Sequence, residues 1–264
     1  MKKLVILFIL LFSNISFAGY ISLTTSMENI FIYNNSAEIN ISLLNSGDEP
    51  AFNTKLFLVL PDGFKVNELF VGTLKQNNTF VGQFNISVVK NIIPGKYTFA
   101  VLTEYSDANG YGFSSVSPST IIYKKPTSTK ISGFIKELKL GEKETKNLEL
   151  KILNRDTEEH NIRAHLYLPN ELVAKENDKT VLIKPNEEKE IDFSISNFGA
   201  LLGSSYIVFA SVEYEEDWLH YSTIVRGIVN IEKGDYSWII ICIVLILITI
   251  FVIINIRHKF KVRK

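Results

Sequence analysis

Residues 39–45 read Ile-Asn-Ile-Ser-Leu-Leu-Asn, and residues 148–154, at an offset of 109, read Leu-Glu-Leu-Lys-Ile-Leu-Asn. In both stretches every second side chain is apolar, and successive side chains of a β-strand point to opposite faces. A period of two with one apolar face is typical of a strand that covers a core on one side only. Both stretches therefore predict half-buried antiparallel strands.

The same offset, within one residue, relates further parts of the chain. The matched pairs are residues 56–61 with 164–169, 84–87 with 193–196, and 95–105 with 204–214. Several matches in one order predict two copies of one unit of about 100 residues.

Turn residues separate the alternating runs. Pro, Gly, Asn and Asp favour tight turns. They occur together at Pro61-Asp62-Gly63, Pro94-Gly95 and Asp107-Ala108-Asn109-Gly110. About seven short strands in a hundred residues, without helical periodicity, predict an immunoglobulin-like β-sandwich. We therefore expect an all-β exported part with two tandem Ig-like sandwiches, followed by one transmembrane helix.

Three segments of the first copy, residues 40–61, 93–97 and 105–110, carry a family resemblance. Their strand spacing and turns resemble the CARDB-type Ig-like modules, which are named for cell-adhesion-related domains and are common in archaeal surface-layer-associated proteins. The second copy lacks the Pro-Gly and Asp-x-Asn-Gly turns. The resemblance implies an extracellular interaction or spacer role and brings no catalytic residues with it.

The two ends of the chain predict its topology. Residues 238–256, Trp238 to Ile256, contain no charge, Pro or Gly and would form a helix of roughly 28 Å, about the thickness of a bilayer core. Basic residues follow it, which predicts a cytoplasmic tail. Residues 1–18 have the pattern of a signal peptide, with an uncleaved anchor as the alternative. We expect a single-pass type I protein of the cell membrane that contacts the lipid bilayer through residues 238–256.

The sequence divides into six predicted segments. They are a signal peptide at 1–18, a first sandwich at 19–124, a second sandwich at 125–232, a juxtamembrane linker at 233–237, a membrane helix at 238–256 and a basic tail at 257–264. In an end-to-end arrangement the outer tip of the first sandwich would stand roughly 70–80 Å from the membrane.

Charge and cysteine content restrict the partners. All 28 acidic residues lie between residues 19 and 237 with 21 of the 28 basic residues, an excess of seven negative charges that argues against nucleic acid. The single cysteine, Cys242, lies in the predicted span. An exported part without a disulfide indicates a prokaryotic envelope protein.

The exported sequence shows no pattern of a catalytic or metal centre. His160, His165 and His220 do not stand in a metal-ligand spacing such as His-Glu-x-x-His. A Gly-rich phosphate loop and a nucleophile elbow are also missing from the sequence. We therefore expect no enzyme activity, no cofactor and no metal.

Two groups of residues are candidates for contacts. Asp107, Asn109 and Tyr111 are predicted at the outer tip of the first unit, as a partner contact or simply as a polar hairpin turn. The predicted junction between the units brings Lys124 and Lys125 towards Glu215, Glu216, Asp217 and Trp218. A calcium site at these three acids is the alternative, although consecutive residues of an extended backbone do not converge on one ion.

Two further features concern the surface. Asn34, Asn40, Asn77 and Asn85 stand in Asn-x-Ser/Thr sequons, and the sequence leaves their glycosylation open. Residues 198–202, Phe-Gly-Ala-Leu-Leu, are expected to plug one end of the second sandwich, with an adhesive patch as the alternative.

These observations predict a membrane-anchored envelope protein with a structural, adhesive or binding role, whose partner is an envelope protein or a glycan. The alternative is an accessory subunit of a membrane transport or secretion complex. Helix-packing interfaces are rich in small residues, and the predicted span has no Gly, Ala or Ser. That composition favours the anchor.

Overall fold

The computed structural model describes residues 19–233, so the predicted signal peptide, membrane helix and basic tail lie outside the described residues. Within residues 19–233 every regular element is a β-strand, which confirms the all-β prediction for this part of the chain. A search of the same residues finds no helix with the length and hydropathy needed to cross a membrane.

The strands fall into an N-terminal half and a C-terminal half. The N-terminal half contains β1 (Leu23–Met27), β2 (Ile30–Ile32), β3 (Ser36–Asn45), β4 (Ala51–Val59), β5 (Phe64–Lys65), β6 (Leu69–Leu74), β7 (Thr79–Val88), β8 (Gly95–Ser106) and β9 (Gly112–Tyr123). The C-terminal half contains β10 (Ile131–Ile135), β11 (Leu138–Leu140), β12 (Thr145–Asn154), β13 (His160–Tyr167), β14 (Leu172–Ala174), β15 (Asp178–Ile183), β16 (Glu188–Asn197), β17 (Ser205–Glu216) and β18 (Leu219–Ile231).

Three sheets hold these strands. Four-stranded sheets have the orders β1-β3-β7-β5 and β10-β12-β16-β14, and a ten-stranded sheet runs through both halves along β15-β13-β17-β18-β8-β4-β6, with β2, β9 and β11 paired at its sides. Each four-stranded sheet covers its own half of the long sheet, and each half has a separate apolar core. The layered β-architecture follows from the alternation in the sequence: Leu148, Leu150 and Ile152 of β12 are completely buried while their neighbours are not.

A buried asparagine ends the equivalent strand in each half. The Asn45 side-chain amide donates to the carbonyl oxygens of Glu49 at 2.8 Å and Leu74 at 3.1 Å, and its oxygen accepts from the Gly47 amide at 3.0 Å. The Asn154 side chain makes the matching contacts in the C-terminal half, to Glu158 at 2.8 Å, Lys184 at 3.1 Å and the Asp156 amide at 2.9 Å. Both asparagines are fully buried, so each satisfies backbone groups that a turn would otherwise leave without partners.

The two halves lie side by side. Residues 124–130 connect β9 to β10, and β8 then runs parallel to β18, with Gly95 opposite His220. Turn 107–111 and loop 198–204 consequently lie at the same end of the molecule, where Gly110 and Phe198 line a common cleft. The structure thus differs from the predicted end-to-end arrangement, because the sheet of one half continues into the sheet of the other.

Candidate binding surface between the two halves

His220 is the centre of the contact at one end of the interface. Its ring stacks on Tyr97 with 3.9 Å between centroids and 7° between planes. The His220 Nδ1 atom lies 2.8 Å from the carbonyl oxygen of Lys96, so Nδ1 donates, since a carbonyl only accepts. The backbone oxygen of His220 accepts from the Thr127 hydroxyl at 2.7 Å. His220 thereby joins β18, linker 124–130 and the N-terminal half.

Glu213 faces the other ring nitrogen of His220, at 3.7 Å from Nε2. Burial raises the pKa of this carboxyl, but the contacts with His220 and Ser211 and the charge of Arg163 together outweigh burial and hold the pKa below its usual range. The carboxylate is therefore ionised at neutral pH and stabilises the imidazole orientation that the Tyr97 stack requires.

Tyr97 is fixed from its own half as well. Its hydroxyl donates to the carbonyl oxygen of Ile93 at 2.6 Å, and the edge of Phe64 packs on its ring with centroids 5.3 Å apart. Burial, followed by the charges of Glu215 and Glu213, raises the Tyr97 pKa. The side chain is thus a neutral donor that anchors the loop and offers its ring to the other half.

The middle of the interface is apolar. Ala100 and Val116 from the N-terminal half pack with Tyr167 and Phe209 from the C-terminal half in one buried cluster. The rings of Tyr167 and Phe209 are stacked at 4.6 Å. Such packing removes apolar area from water, which is the main stabilising contribution of most interfaces.

The far end of the interface contains a buried carboxylate, Glu171. Both of its oxygens accept from Ser114 at 2.6 Å, one from the backbone amide and one from the hydroxyl. The same hydroxyl accepts from the Asn170 amide at 2.7 Å. Because both carboxylate oxygens and the hydroxyl are engaged, this group positions the two halves and is not arranged as a nucleophile with a base.

Beside Glu171 lies a cleft of about 510 Å³ between the halves. Tyr105 and Phe113 stack in its wall with centroids 5.6 Å apart, and burial, then the charges of Glu171 and Tyr206, raise the Tyr105 pKa to about 12. Phe198 of the opposite half borders the cleft and is 79% exposed. The cleft is the part of the described surface where aromatic side chains of both halves are available to a partner.

The prediction that Asp107, Asn109 and Tyr111 lie at an outer tip is wrong, because their turn shares an end of the molecule with loop 198–204 and lies beside this cleft. Asp107 and Asn109 form the turn itself. The Asp107 carboxylate accepts from the backbone amides of Asn109 and Tyr111, each at 2.9 Å, and Gly110 has a φ of 82°. This is the hydrogen bonding of an Asx turn. Tyr111 remains 67% exposed, so it is the member of the predicted set whose side chain is free for a contact.

The predicted junction residues are placed differently from the expectation. Asp217 and Trp218 have φ values of 48° and 60° between paired residues Glu216 and Leu219, which is the two-residue type I′ hairpin that directs both side chains to solvent. Trp218 is accordingly 88% exposed.

Within residues 19–233 the ion pairs do not include Lys124 or Lys125 with Glu215, Glu216 or Asp217. Both lysines are exposed, and the Lys124 ammonium lies 4.8 Å from the centre of the Tyr123 ring. The linker and the hairpin do meet, but through the neighbouring residues Thr127 and His220.

Two surface predictions also have a location. The four sequon residues Asn34, Asn40, Asn77 and Asn85 are all exposed, the condition that a glycan requires. In loop 198–202 only Ala200 is buried, while Phe198, Leu201 and Leu202 face solvent. Ala200 is therefore the residue of this loop that packs into the core of the C-terminal half, while the large apolar side chains stay at the surface.

Comparison with known proteins identifies no family. No family model matches the chain, and a search of curated proteins finds no match. Among solved structures, a protein of unknown function from Porphyromonas gingivalis W83 matches with 14% identity, a TM-score of 0.31, and coverage of 78% of this chain and 98% of its own.

Two other solved structures are similar to the same degree. The YadV chaperone has 11% identity, a TM-score of 0.31 and coverage of 79% and 98%. Trypsin-activated alpha-2-macroglobulin from Escherichia coli has 10% identity and a TM-score of 0.34, over 81% of this chain and 18% of that protein. Similarities this weak carry no information about what the chain binds.

Proposed function

We propose that the chain is a single-pass membrane protein of the cell envelope whose exported part adheres to, spaces or binds other envelope components. The exported part consists of two tandem Ig-like sandwiches, residues 19–124 and 125–232, that are copies of one unit. The matching contacts of Asn45 and Asn154, made at equivalent positions of the two halves, support a common origin of the units.

The observation that carries the proposal is an apolar surface at the end where the described chain stops. Leu201 and Leu202 are 51% and 40% exposed, and the loop that holds them is tied to the last strand by a hydrogen bond from the Gly203 amide to the Ile231 oxygen, 2.8 Å long. Exposed apolar patches on a protein surface usually mark a partner or a membrane.

The length of the connecting chain selects the lipid bilayer as the occupant of this surface. Residues 233–237 extend over at most ~18 Å, so an apolar segment that begins at Trp238 holds loop 198–204 near the headgroups. Ile207 and Ile228 continue the surface, because they are cross-strand partners and both are exposed. Apolar side chains at a bilayer surface add binding free energy in proportion to the area they bury.

The same orientation presents the opposite end to the outside. Hairpin 216–219 lies at the other end of β17, twelve residues or about 36 Å from the loop. Aromatic side chains such as Trp218 contribute strongly when a partner covers them. An envelope protein or a glycan is therefore met by this hairpin.

A depth measurement tests the proposal. Replacing Cys242 by Ser removes the only cysteine of the sequence, and single cysteines are then introduced as Leu201→Cys or, as the matched control, Trp218→Cys. Each full-length variant is labelled with a fluorophore and reconstituted into phosphatidylcholine vesicles with and without nitroxide-bearing lipids. We expect quenching of the label at position 201 and none at position 218.

The outcomes separate the competing explanations. A full-length chain that does not associate with vesicles refutes the membrane anchor. Equal fluorescence at both positions refutes the contact between loop 198–204 and lipid. A label at position 201 that is shielded from both lipid and water in native membranes, but not in vesicles, favours the accessory subunit of a transport or secretion complex.

A further inference from the structure

Three side chains converge at the end of the molecule that carries hairpin 216–219. Asp156, His160 and Glu216 each offer one ligand atom, and these atoms all lie within 4.8 Å of one another. Asp156 follows β12, His160 begins β13 and Glu216 ends β17. The group therefore depends on the fold, since Glu216 is distant from His160 in the sequence.

His160 is the residue that points to a ligand. Its side chain is buried, with 4% of the residue exposed, yet its Nε2 atom has no hydrogen-bond partner within residues 19–233. That nitrogen faces the Asp156 carboxylate, 3.6 Å from Oδ2. A buried polar atom without a partner is unfavourable, so this nitrogen is available to a ligand.

The ring is held in this direction by its neighbours. Tyr214 packs against the imidazole with 4.3 Å between centroids, and its hydroxyl accepts from Thr129 at 3.1 Å. Asp156 is fixed by its Oδ1 atom, which accepts from the Lys130 ammonium at 2.9 Å and the Thr157 amide at 2.7 Å. Oδ2 is then directed towards His160.

We propose that Asp156, His160 and Glu216 bind a divalent transition-metal ion, of which Zn²⁺ fits best. One imidazole nitrogen and two carboxylate oxygens are ligands that Zn²⁺ accepts, at ~2.0–2.2 Å. Ligand atoms at the corners of such a tetrahedron stand about 3.4 Å apart, close to the 3.6 Å that already separates Asp156 from His160. Glu216, the last residue of its strand, closes the remaining gap by a change of side-chain rotamer.

Three protein ligands leave one position of a tetrahedral Zn²⁺ open. A water molecule or a group from a partner fills that position. Because the site lies beside the exposed hairpin, the ion would be reached from the same side as Trp218. The inference depends only on the C-terminal half and goes beyond the proposed membrane contact.

The competing arrangement is an ion pair between Asp156 and a protonated His160, with Lys130 as a further cation. Lys130 has 63% of its side chain exposed, so it is able to move to solvent when a metal binds. The two arrangements predict opposite roles for this lysine. If the group binds a metal, removal of the Lys130 ammonium removes a repulsive positive charge and Zn²⁺ binds more tightly. If the group is only an ion pair, Zn²⁺ does not bind, with the lysine or without it.

The test uses the full-length chain in detergent after treatment with a chelator. Zn²⁺ binding is measured by calorimetry, and Co²⁺ is added as a spectroscopic probe, because its visible absorption reports a tetrahedral nitrogen–oxygen site. His160→Gln and Glu216→Gln remove ligands, and His165→Gln is the matched control elsewhere on β13. Since loss of an outer partner alone costs 10–100-fold in metal affinity, loss of a ligand should cost at least ~100-fold.

We expect one Zn²⁺ per chain, loss of binding and of the Co²⁺ spectrum in His160→Gln and Glu216→Gln, unchanged binding in His165→Gln, and tighter binding in Lys130→Met. Near-UV circular dichroism of Glu216→Gln, a half-buried position, checks that the fold is retained. Absence of Zn²⁺ binding up to millimolar concentration overturns the proposal. Equal affinity in the wild type and both ligand variants overturns it as well.

Discussion

Replacing Asn154 by Ala removes a fully buried side chain that makes no apolar contribution of note but holds the end of β12. Its amide donates to the oxygens of Glu158 and Lys184, and its oxygen accepts from the Asp156 amide. Alanine leaves these three backbone groups without partners. At the lower end of 1–3 kcal/mol for each group, the free energy of unfolding falls by about 3 kcal/mol.

Asn45→Ala provides a second measurement of the same effect in the other half. The hydrogen bonds of Asn45 have the same pattern, so we expect a similar loss of about 3 kcal/mol. Because the two asparagines belong to separate halves with separate cores, their losses should add in the double variant, as they do for distant sites.

Urea unfolding of the full-length chain, followed by circular dichroism, measures both losses. With a slope of about 3 kcal/mol/M, each variant should shift the midpoint by about 1 M to lower urea. Asn40→Ala, on the exposed side of β3, is the control and should change the free energy by less than about 0.5 kcal/mol. If Asn154→Ala behaved like the control, the asparagine would not hold the turn and the reasoning would fail.

Three further predictions concern the interface between the halves. Gly95→Ala introduces a Cβ atom that overlaps the backbone oxygen of His220, at a φ of 153°; the clash should separate β8 from β18 and increase the radius of gyration in small-angle scattering. Phe209→Ala empties the buried apolar cluster and should lower the free energy of unfolding by about 3–5 kcal/mol, measured by urea unfolding. Glu213→Gln tests the pH dependence of the free energy of unfolding. Because the folded-state pKa of Glu213 is lowered, the carboxylate stabilises the fold above its unfolded-state pKa, and this stabilisation is lost as pH falls through the folded-state pKa. The variant should therefore be less stable than the wild type at neutral pH and differ little from it in acid.

The sequence predicts the half-buried strands because their pattern is local. The apolar positions of β3 and β12 alternate over seven residues, and the same positions are buried in the structure. The asparagine that ends each strand is also visible as a match at an offset of 109. The alternation along one strand identifies the face that packs on the core of its own half. That assignment needs only residues that are neighbours in the sequence.

The interface is not predicted because its partners are distant in the sequence. His220 and Lys96 are separated by 124 residues, and no periodic pattern connects them. One signal is present, however. Residues 97–101 and 208–214 are buried without alternation, and a strand whose sequence is continuously apolar is one covered on both faces. Phe99-Ala100-Val101 and Val208-Phe209-Ala210 therefore indicate a second layer on the outer faces of β8 and β17.

The group formed by Asp156, His160 and Glu216 is not visible as a sequence motif for a related reason. Metal-ligand spacing rules describe ligands that one helix or one short loop brings together. Here Asp156 and His160 lie on either side of a turn, and Glu216 arrives from the strand beside β13. A pairing of β13 with β17 is needed before the three side chains can be recognised as a group, and the sequence does not specify which strands pair.

The relative direction of β8 and β18 decides how these features are distributed. Because the two strands run in parallel from Gly95 and His220, turn 107–111 of one half reaches the same end as loop 198–204 of the other. An antiparallel contact would have placed them at opposite ends. Loop 198–204 and turn 107–111 consequently lie at the end where the described chain stops, while the linker, the hairpin and His160 lie at the other. One contact, with a glycine that lets the backbones approach closely, thus decides which loops of the two halves share an end of the molecule.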